Sequence, residues 1–373
     1  MVQLSGARLI LISRKRSVAF IIAGVAACLT LILGCRALQP KPAFRVDLRA
    51  YGYPTETLGR IVGNYTDIAF LSNNLLLVAV NTKTYGTEEP DADEFPPDEP
   101  DARLLVFDLS RRGLVKEGEF PATKASDSIQ ALGENRFVLL SHAGLHICAS
   151  DLECGTLVKT HGPIFVSPGG NVIAAGGRGH SDQILVNAAT LQEVQHFPAN
   201  APKVLPGDRD LLVLAGGKFY TGSAQNPETH FLRDAVGGAV WPEAAFLNDD
   251  TVAVFSDDEQ MTVMRTDGHA LFRQPLLKGT RLKAVCAAVS GTRFCLQQAG
   301  QSRMRSLLNG VREKKDYDFE QVNVLGASDG KSYFKLDWNP QPYVGNLSRP
   351  ALSPDGHHLA LVRGGALEIF DVP

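Results

Sequence analysis

Apolar residues in this chain fall into short runs, paired across turns built from Asn, Asp, Pro and Gly. The sharpest pair lies in Arg349-Pro350-Ala351-Leu352-Ser353-Pro354-Asp355-Gly356-His357-His358-Leu359-Ala360-Leu361-Val362, an extended strand, a tight turn and a second apolar strand. Looser copies recur about every 40 residues upstream, a periodicity that predicts a propeller of small sheets.

First strands are expected at Ile68–Leu71, Ile129–Leu132, Ile164–Val166, Lys203–Leu205 and Ala244–Leu247. Their turns are Ser72-Asn73-Asn74, Gly133-Glu134-Asn135, Ser167-Pro168-Gly169-Gly170, Pro206-Gly207-Asp208 and Asn248-Asp249-Asp250. These residues supply the preset φ, side-chain-to-backbone bonds or positive φ that a tight reversal needs. A hairpin around Cys286 and Cys295 is the sixth unit and the Ser353–Gly356 turn marks the seventh. Third strands follow, such as Leu104–Leu109 and Leu367–Val372, and some units show a fourth, such as Tyr333–Leu336.

The fold class is therefore all-β: one seven-bladed propeller of four-stranded antiparallel blades over residues 43–373. The last unit ends at Pro373 after its third strand, and Phe44–Arg49 has strand alternation. That segment is expected to supply the missing outer strand and close the ring, removing an exposed edge. The sixth unit is irregular between Gly300 and Asn323, which leaves a six-bladed ring as the alternative.

Residues 1–35 read differently. Arg14, Lys15 and Arg16 precede an uncharged apolar run from Val18 to Gly34, the pattern of an export signal or a membrane anchor. Ile32-Leu33-Gly34-Cys35 resembles a bacterial lipobox, with Cys35 as the lipidated residue, and Val25-Ala26-Ala27-Cys28 is a competing match. Residues 36–42 form a polar linker. The expected location is the extracytoplasmic face of a bacterial membrane, in the periplasm or at the surface, with the membrane reached through the anchor or a lipid.

Export gives the remaining cysteines meaning, because exported proteins keep disulfides. With Ser290-Gly291 as a two-residue turn, counting outward puts Cys286 opposite Cys295, within disulfide reach. Cys148 and Cys154 are the second candidate pair. Neither has the spacing or the histidines of a zinc site.

The Ser-Pro-Asp-Gly turns and the repeat length resemble the WD40-like and YVTN-type (quinoprotein-like) bacterial propellers. The resemblance covers roughly Phe44 to Pro373 and implies architecture; its members bind proteins, peptides or sugars, and some are enzymes. The Gly-His and Trp-Asp signatures of eukaryotic WD40 repeats are absent. With Trp241 and Trp338 as its only tryptophans, the chain lacks the repeated docking motifs of quinone enzymes, and no cofactor is expected.

Charge narrows the rest. A net charge of −3 offers no basic field for nucleic acid. Two insertions break the repeat: an acidic, proline-rich one at residues 83–101 and a basic one at residues 301–320. The acidic one lacks the spacing of an EF-hand loop. No Gly-x-Ser-x-Gly elbow or His-Glu-x-x-His motif occurs.

What remains is position. Asp67, Asp127, His161, Glu243, Lys283 and Arg349 fall just before or at the start of inner strands, around one mouth of the channel. Asp182, Asp257, Asp258, Glu259 and the acidic insertion share that face. The expected function is a protein- or ligand-binding or assembly module of the cell envelope. The alternative is a metal-dependent, lactonase-like hydrolase with carboxylates at the channel mouth.

Overall fold

The computed structural model describes residues 40–53, 62–64, 66–81, 102–120, 129–141, 144–160, 164–176, 182–198, 201, 203–215, 218–223, 230–234, 244–256, 260–300, 319–338, 344–346 and 349–373. Pro42–Pro373 is one compact unit. Residues 1–39, Cys35 among them, and both insertions lie outside the described residues, apart from the ends of the basic one at Phe319 and Glu320. Among the described residues no helix is long and apolar enough to cross a membrane.

Seven four-stranded antiparallel sheets form the blades of a propeller. Blade I is Thr66–Phe70, Leu75–Asn81, Ala102–Asp108 and Gly113–Phe120, in sequence order from the axis outward. Blades II to VI repeat this plan from Ile129, Ile164, Lys203, Ala244 and Thr280. Blade VII is Ala351–Leu352, His358–Arg363 and Ala366–Asp371, with Phe44–Asp47 paired antiparallel on its outer edge, Phe44 opposite Ile369 and Asp47 opposite Ala366. The innermost strands touch in cyclic order, the last against the first.

Burial explains why the strands read as continuous apolar runs. Leu76, Leu77, Val78, Ala79 and Val80 of blade I are all buried. Leu76, Val78 and Val80 pack toward blade VII, while Leu77 and Ala79 pack toward blade II. A blade wedged between two neighbours needs apolar residues on both faces, and each fully buried leucine contributes roughly 1.5–3 kcal/mol. Outer strands feel one neighbour less, and Gly113–Phe120 is partly or fully exposed along its length.

Two details differ from the sequence expectation. The N-terminal strand stops at Asp47, whose Oδ1 accepts the Arg49 N–H and starts a 3₁₀ turn over Leu48–Tyr51. Leu48 is thereby buried between blades VII and I. The sixth hairpin turns through Val289–Thr292 rather than through Ser290-Gly291 alone, with the Ala288 N–H donating to Arg293 O at 2.9 Å and the Gly291 N–H to Ala288 O at 2.8 Å. The wider loop keeps the register. Cys286 stands opposite Cys295, and the two form a disulfide with Cα atoms 5.0 Å apart. Cys148 and Cys154 form the second disulfide, also as a cross-strand pair, with Cα atoms 4.0 Å apart.

One element was not legible in the repeat. Val62–Asn64 and Val344–Asn346, the segments leading into blades I and VII, pair in parallel, each Val-Gly-Asn residue opposite its counterpart.

Candidate functional site: the channel mouth

The inner strands of all seven blades surround a channel of about 310 Å³. Its wall is mostly apolar, with Ile68, Phe70, Ile129, Phe165, Leu205 and Val285 among the lining residues. Asp67, Gln130, Ser167 and Arg349 are the polar side-chain carriers that matter here.

The height of each residue follows from the hairpin ladders. Leu71, Ala288 and Ser353 hold equivalent places, because the N–H of each closes the turn of its own blade. Asp67, Ala284 and Arg349 each stand four residues before that anchor. Asp67 and Arg349 therefore share one end of the channel, in neighbouring blades I and VII. Asp67 is 7 % exposed, and alternation puts it on the face that carries Ala69 and Leu71 toward blade II.

Lys283, next to Ala284, takes another course. The pairing jumps from Leu282–Gln298 to Ala284–Gln297, so Lys283 is the extra residue of a β-bulge. The bulge turns its side chain back into blade VI, where Nζ lies 2.7 Å from Glu320 Oε1. Gln297 Nε2 donates to Glu320 Oε2 at 3.1 Å. The Glu320 side chain is 7 % exposed, so the pair is largely shielded from water.

Gln130 does something alternation alone did not show. Its Nε2 donates to Ile164 O at 2.6 Å and its Oε1 accepts the Val166 N–H at 2.9 Å. The amide thus pairs with the inner edge of blade III as a short strand would. Gln183 repeats this on blade IV, accepting the Val204 N–H at 2.9 Å and donating to Val204 O at 3.4 Å. Inner edges carry backbone groups without a strand partner, and buried backbone groups require one. A lone glutamine beside an inner strand was the available signal, and it is a faint one.

Asp127, His161 and Glu243, with Asp257, Asp258 and Glu259, lie outside the described residues. Asp182 is placed, with its Oδ2 3.3 Å from His196 Nε2. Among the described residues no three His, Cys, Asp or Glu side chains are grouped to hold a metal ion.

One further polar pair sits in blade II. Ser141 Oγ lies 3.0 Å from His146 Nε2 and 3.2 Å from Gly144 O. Burial pushes the His146 imidazole below its ordinary pKa, against the opposing effect of its bond to the Gly155 carbonyl. Ser141 is only 2 % exposed, and the contact closes the hairpin between the second and third strands.

No family model matches this chain, and no curated protein matches it.

Proposed function

We propose that this chain is an exported, membrane-tethered propeller that works as a binding or assembly module, docking its partner at the channel mouth beside Asp67 and Arg349. The observation that supports it most is the channel itself, about 310 Å³, apolar along its wall with an acid and a base at one end. That volume sits at the small end of ordinary ligand pockets. A partner inserting one apolar side chain or chain end would fill it, while the partly exposed Arg349 at the rim sets orientation and association rate.

Two disulfides support placement in an oxidising compartment. The basic flank and apolar run of residues 14–34 support tethering, with Cys35 as the lipidation site in the lipoprotein version of this reading. Phe44–Asp47, which follows the linker, would close the ring.

The test is comparative capture from envelope extract with wild-type chain, the rim variant Asp67→Asn/Arg349→Gln, and a variant of the opposite face such as Ser290→Ala. A partner held by wild type and S290A but lost by the rim variant supports the reading. A partner that ignores the rim variant removes the mouth as the docking face.

A further inference from the structure

The turns joining first and second strands tie neighbouring blades into a belt. Gly170 of blade III packs on Leu132 O of blade II, Asn248 Nδ2 of blade V donates to Gly291 O of blade VI at 3.1 Å, and the Ser290 N–H donates to Pro354 O at 2.8 Å. The outermost strands lie beyond this belt, each at the edge of its own sheet. An edge strand offers unpaired N–H and C=O groups to any chain that can extend the ladder, and a bulge is one way of spoiling that template.

Six of the seven outer edges are spoiled in this way. Gly113–Phe120, Cys154–Val158, Glu193–Phe197, His230–Asp234, Ala270–Pro275 and Ser332–Trp338 all slip register against the third strand of their own blade. Phe44–Asp47 of blade VII does not: its pairs run from Phe44–Ile369 to Asp47–Ala366 without a shift. We propose that this edge is a self-association surface, on which the same strand of a second copy pairs antiparallel about Val46.

Two independent features select that register. The first is the main chain. Arg363 and Ala366 flank the two-residue turn Gly364-Gly365, so Ala366 aims its backbone groups at Arg363 and Leu367 aims its own at the outer strand. The Leu48 N–H, which donates to Gly365 O at 2.8 Å, keeps the same phase. Phe44 and Val46 therefore direct their N–H and C=O groups into blade VII, while Arg45 and Asp47 direct theirs outward. In an antiparallel pair of copies, outward groups meet outward groups only where the twofold axis passes through a residue, not between two.

The second feature is charge. An axis at Arg45 sets two guanidinium groups face to face, and an axis at Asp47 sets two carboxylates face to face. The axis at Val46 puts each Arg45 opposite Asp47 of the other copy. Opposite charges across a ladder favour pairing and like charges oppose it. Both side chains reach solvent, Arg45 being 65 % and Asp47 60 % exposed. Their ion pairs within the chain are long, 3.5 Å from Arg45 Nε to Glu368 Oε1 and 3.7 Å from Arg49 Nη1 to Asp47 Oδ2. Val46 faces its own counterpart in the close, non-hydrogen-bonded kind of pair, on the side that packs with the core of blades VII and I. The contact is isologous and small, so association in dilute solution should be weak.

The experiment is sedimentation velocity of the full chain in mild detergent over a concentration series. Wild type should show a monomer–dimer equilibrium. Arg45→Glu opposes two acidic groups and Asp47→Lys two basic ones, and each should weaken the dimer by about tenfold. R45E and D47K mixed one to one are complementary at both pairs, so the mixture should associate as wild type does. A chain that stays monomeric at every concentration, its edge left for some other protein's strand, overturns the proposal. So does a mixture no tighter than its components. An association that both single variants keep belongs to another surface, such as the apolar run of residues 18–34, and overturns it too. If either variant melts below wild type, a second arm decides. Val46→Cys in the otherwise wild-type full chain is oxidised, and a 46–46 disulfide is sought by mass spectrometry of linked peptides. Cα atoms about 4.5 Å apart across such a pair permit that bond. Linkage at 46 supports the register; its absence, or faster linkage of Arg45→Cys to itself, overturns it.

Discussion

Asn73 and Asp355, 282 residues apart in sequence, meet where the last blade closes on the first: the Asp355 N–H donates to Asn73 Oδ1 at 3.0 Å. The same seam holds Leu48 and the outer strand Phe44–Asp47. Asn73→Ala removes one bond and should cost about 1 kcal/mol in a denaturant titration. Deleting residues 43–47 as well should cost clearly more, because it also strips partners from Ala366–Asp371 and leaves an open edge. Equal stability of the two variants would show that the N-terminal strand does not hold the ring shut.

Two glycines separate backbone strain from crowding. Gly133 and Gly170 both have positive φ, +80° and +76°. A Cβ on Gly133 would meet nothing within 4 Å, whereas one on Gly170 would strike Leu132 O. Gly133→Ala should therefore cost about 1–2 kcal/mol from conformation alone. Gly170→Ala should cost about 3 kcal/mol or more, since the II–III junction must also part. Matching losses in chemical denaturation would mean that the turn belt gives way freely.

Glu320 is the anchor of the buried pair in blade VI. Glu320→Gln leaves Lys283 charged and shielded from water without its carboxylate, which should destabilise by about 3–5 kcal/mol. The double variant Lys283→Met/Glu320→Gln should recover much of that loss. A single variant as stable as wild type would show that Lys283 swings out to solvent and is open to the mouth after all.

The hairpins were legible because their cause is local. Asn, Asp, Pro and Gly between apolar runs announced them, and counting outward from Ser290-Gly291 gave the Cys286–Cys295 register even though the loop is wider. Lys283 shows where counting stops: the bulge leaves no mark in the strand's sequence, so a rim position by count became a residue tied into its own blade. Asp208 shows another limit. It read as a turn residue, yet its acceptor oxygens serve a turn roughly one repeat upstream, and such a partner is set by ring geometry alone. Gln130 and Gln183 belong to the same class.

Each disulfide staples a hairpin, and each closes a short loop. Chain-entropy reasoning gives roughly 2–3 kcal/mol per bond at these separations. Replacing Cys286 and Cys295 together with alanine should lower stability by about that amount, and the Cys148/Cys154 pair should behave alike. Because the two bonds lie in blades VI and II, far apart in the repeat, the losses should add within about 0.5 kcal/mol. Reduction of wild type with dithiothreitol should reproduce the quadruple variant. A melting temperature unmoved by reduction would show that the ladders alone fix these hairpins.

Asp355 contributes to the acid limb of the pH profile. It accepts from Ser353 Oγ at 2.5 Å and from the His357 N–H at 2.9 Å, so the turn that most clearly marked the repeat is bound through its carboxylate. Burial works to raise its pKa, but the two bonds and the neighbouring His357 and His358 outweigh it and hold the group below 3.8. A pKa depressed by folding gives stability that is present above the unfolded value and lost as pH falls through the folded one. Asp355→Ala should therefore melt below wild type at pH 6, and the gap should narrow once the pH drops beneath 3.8. A gap between D355A and wild type that stays constant down to pH 2.5 would mean that the carboxylate charge contributes nothing and only the shape of the turn matters.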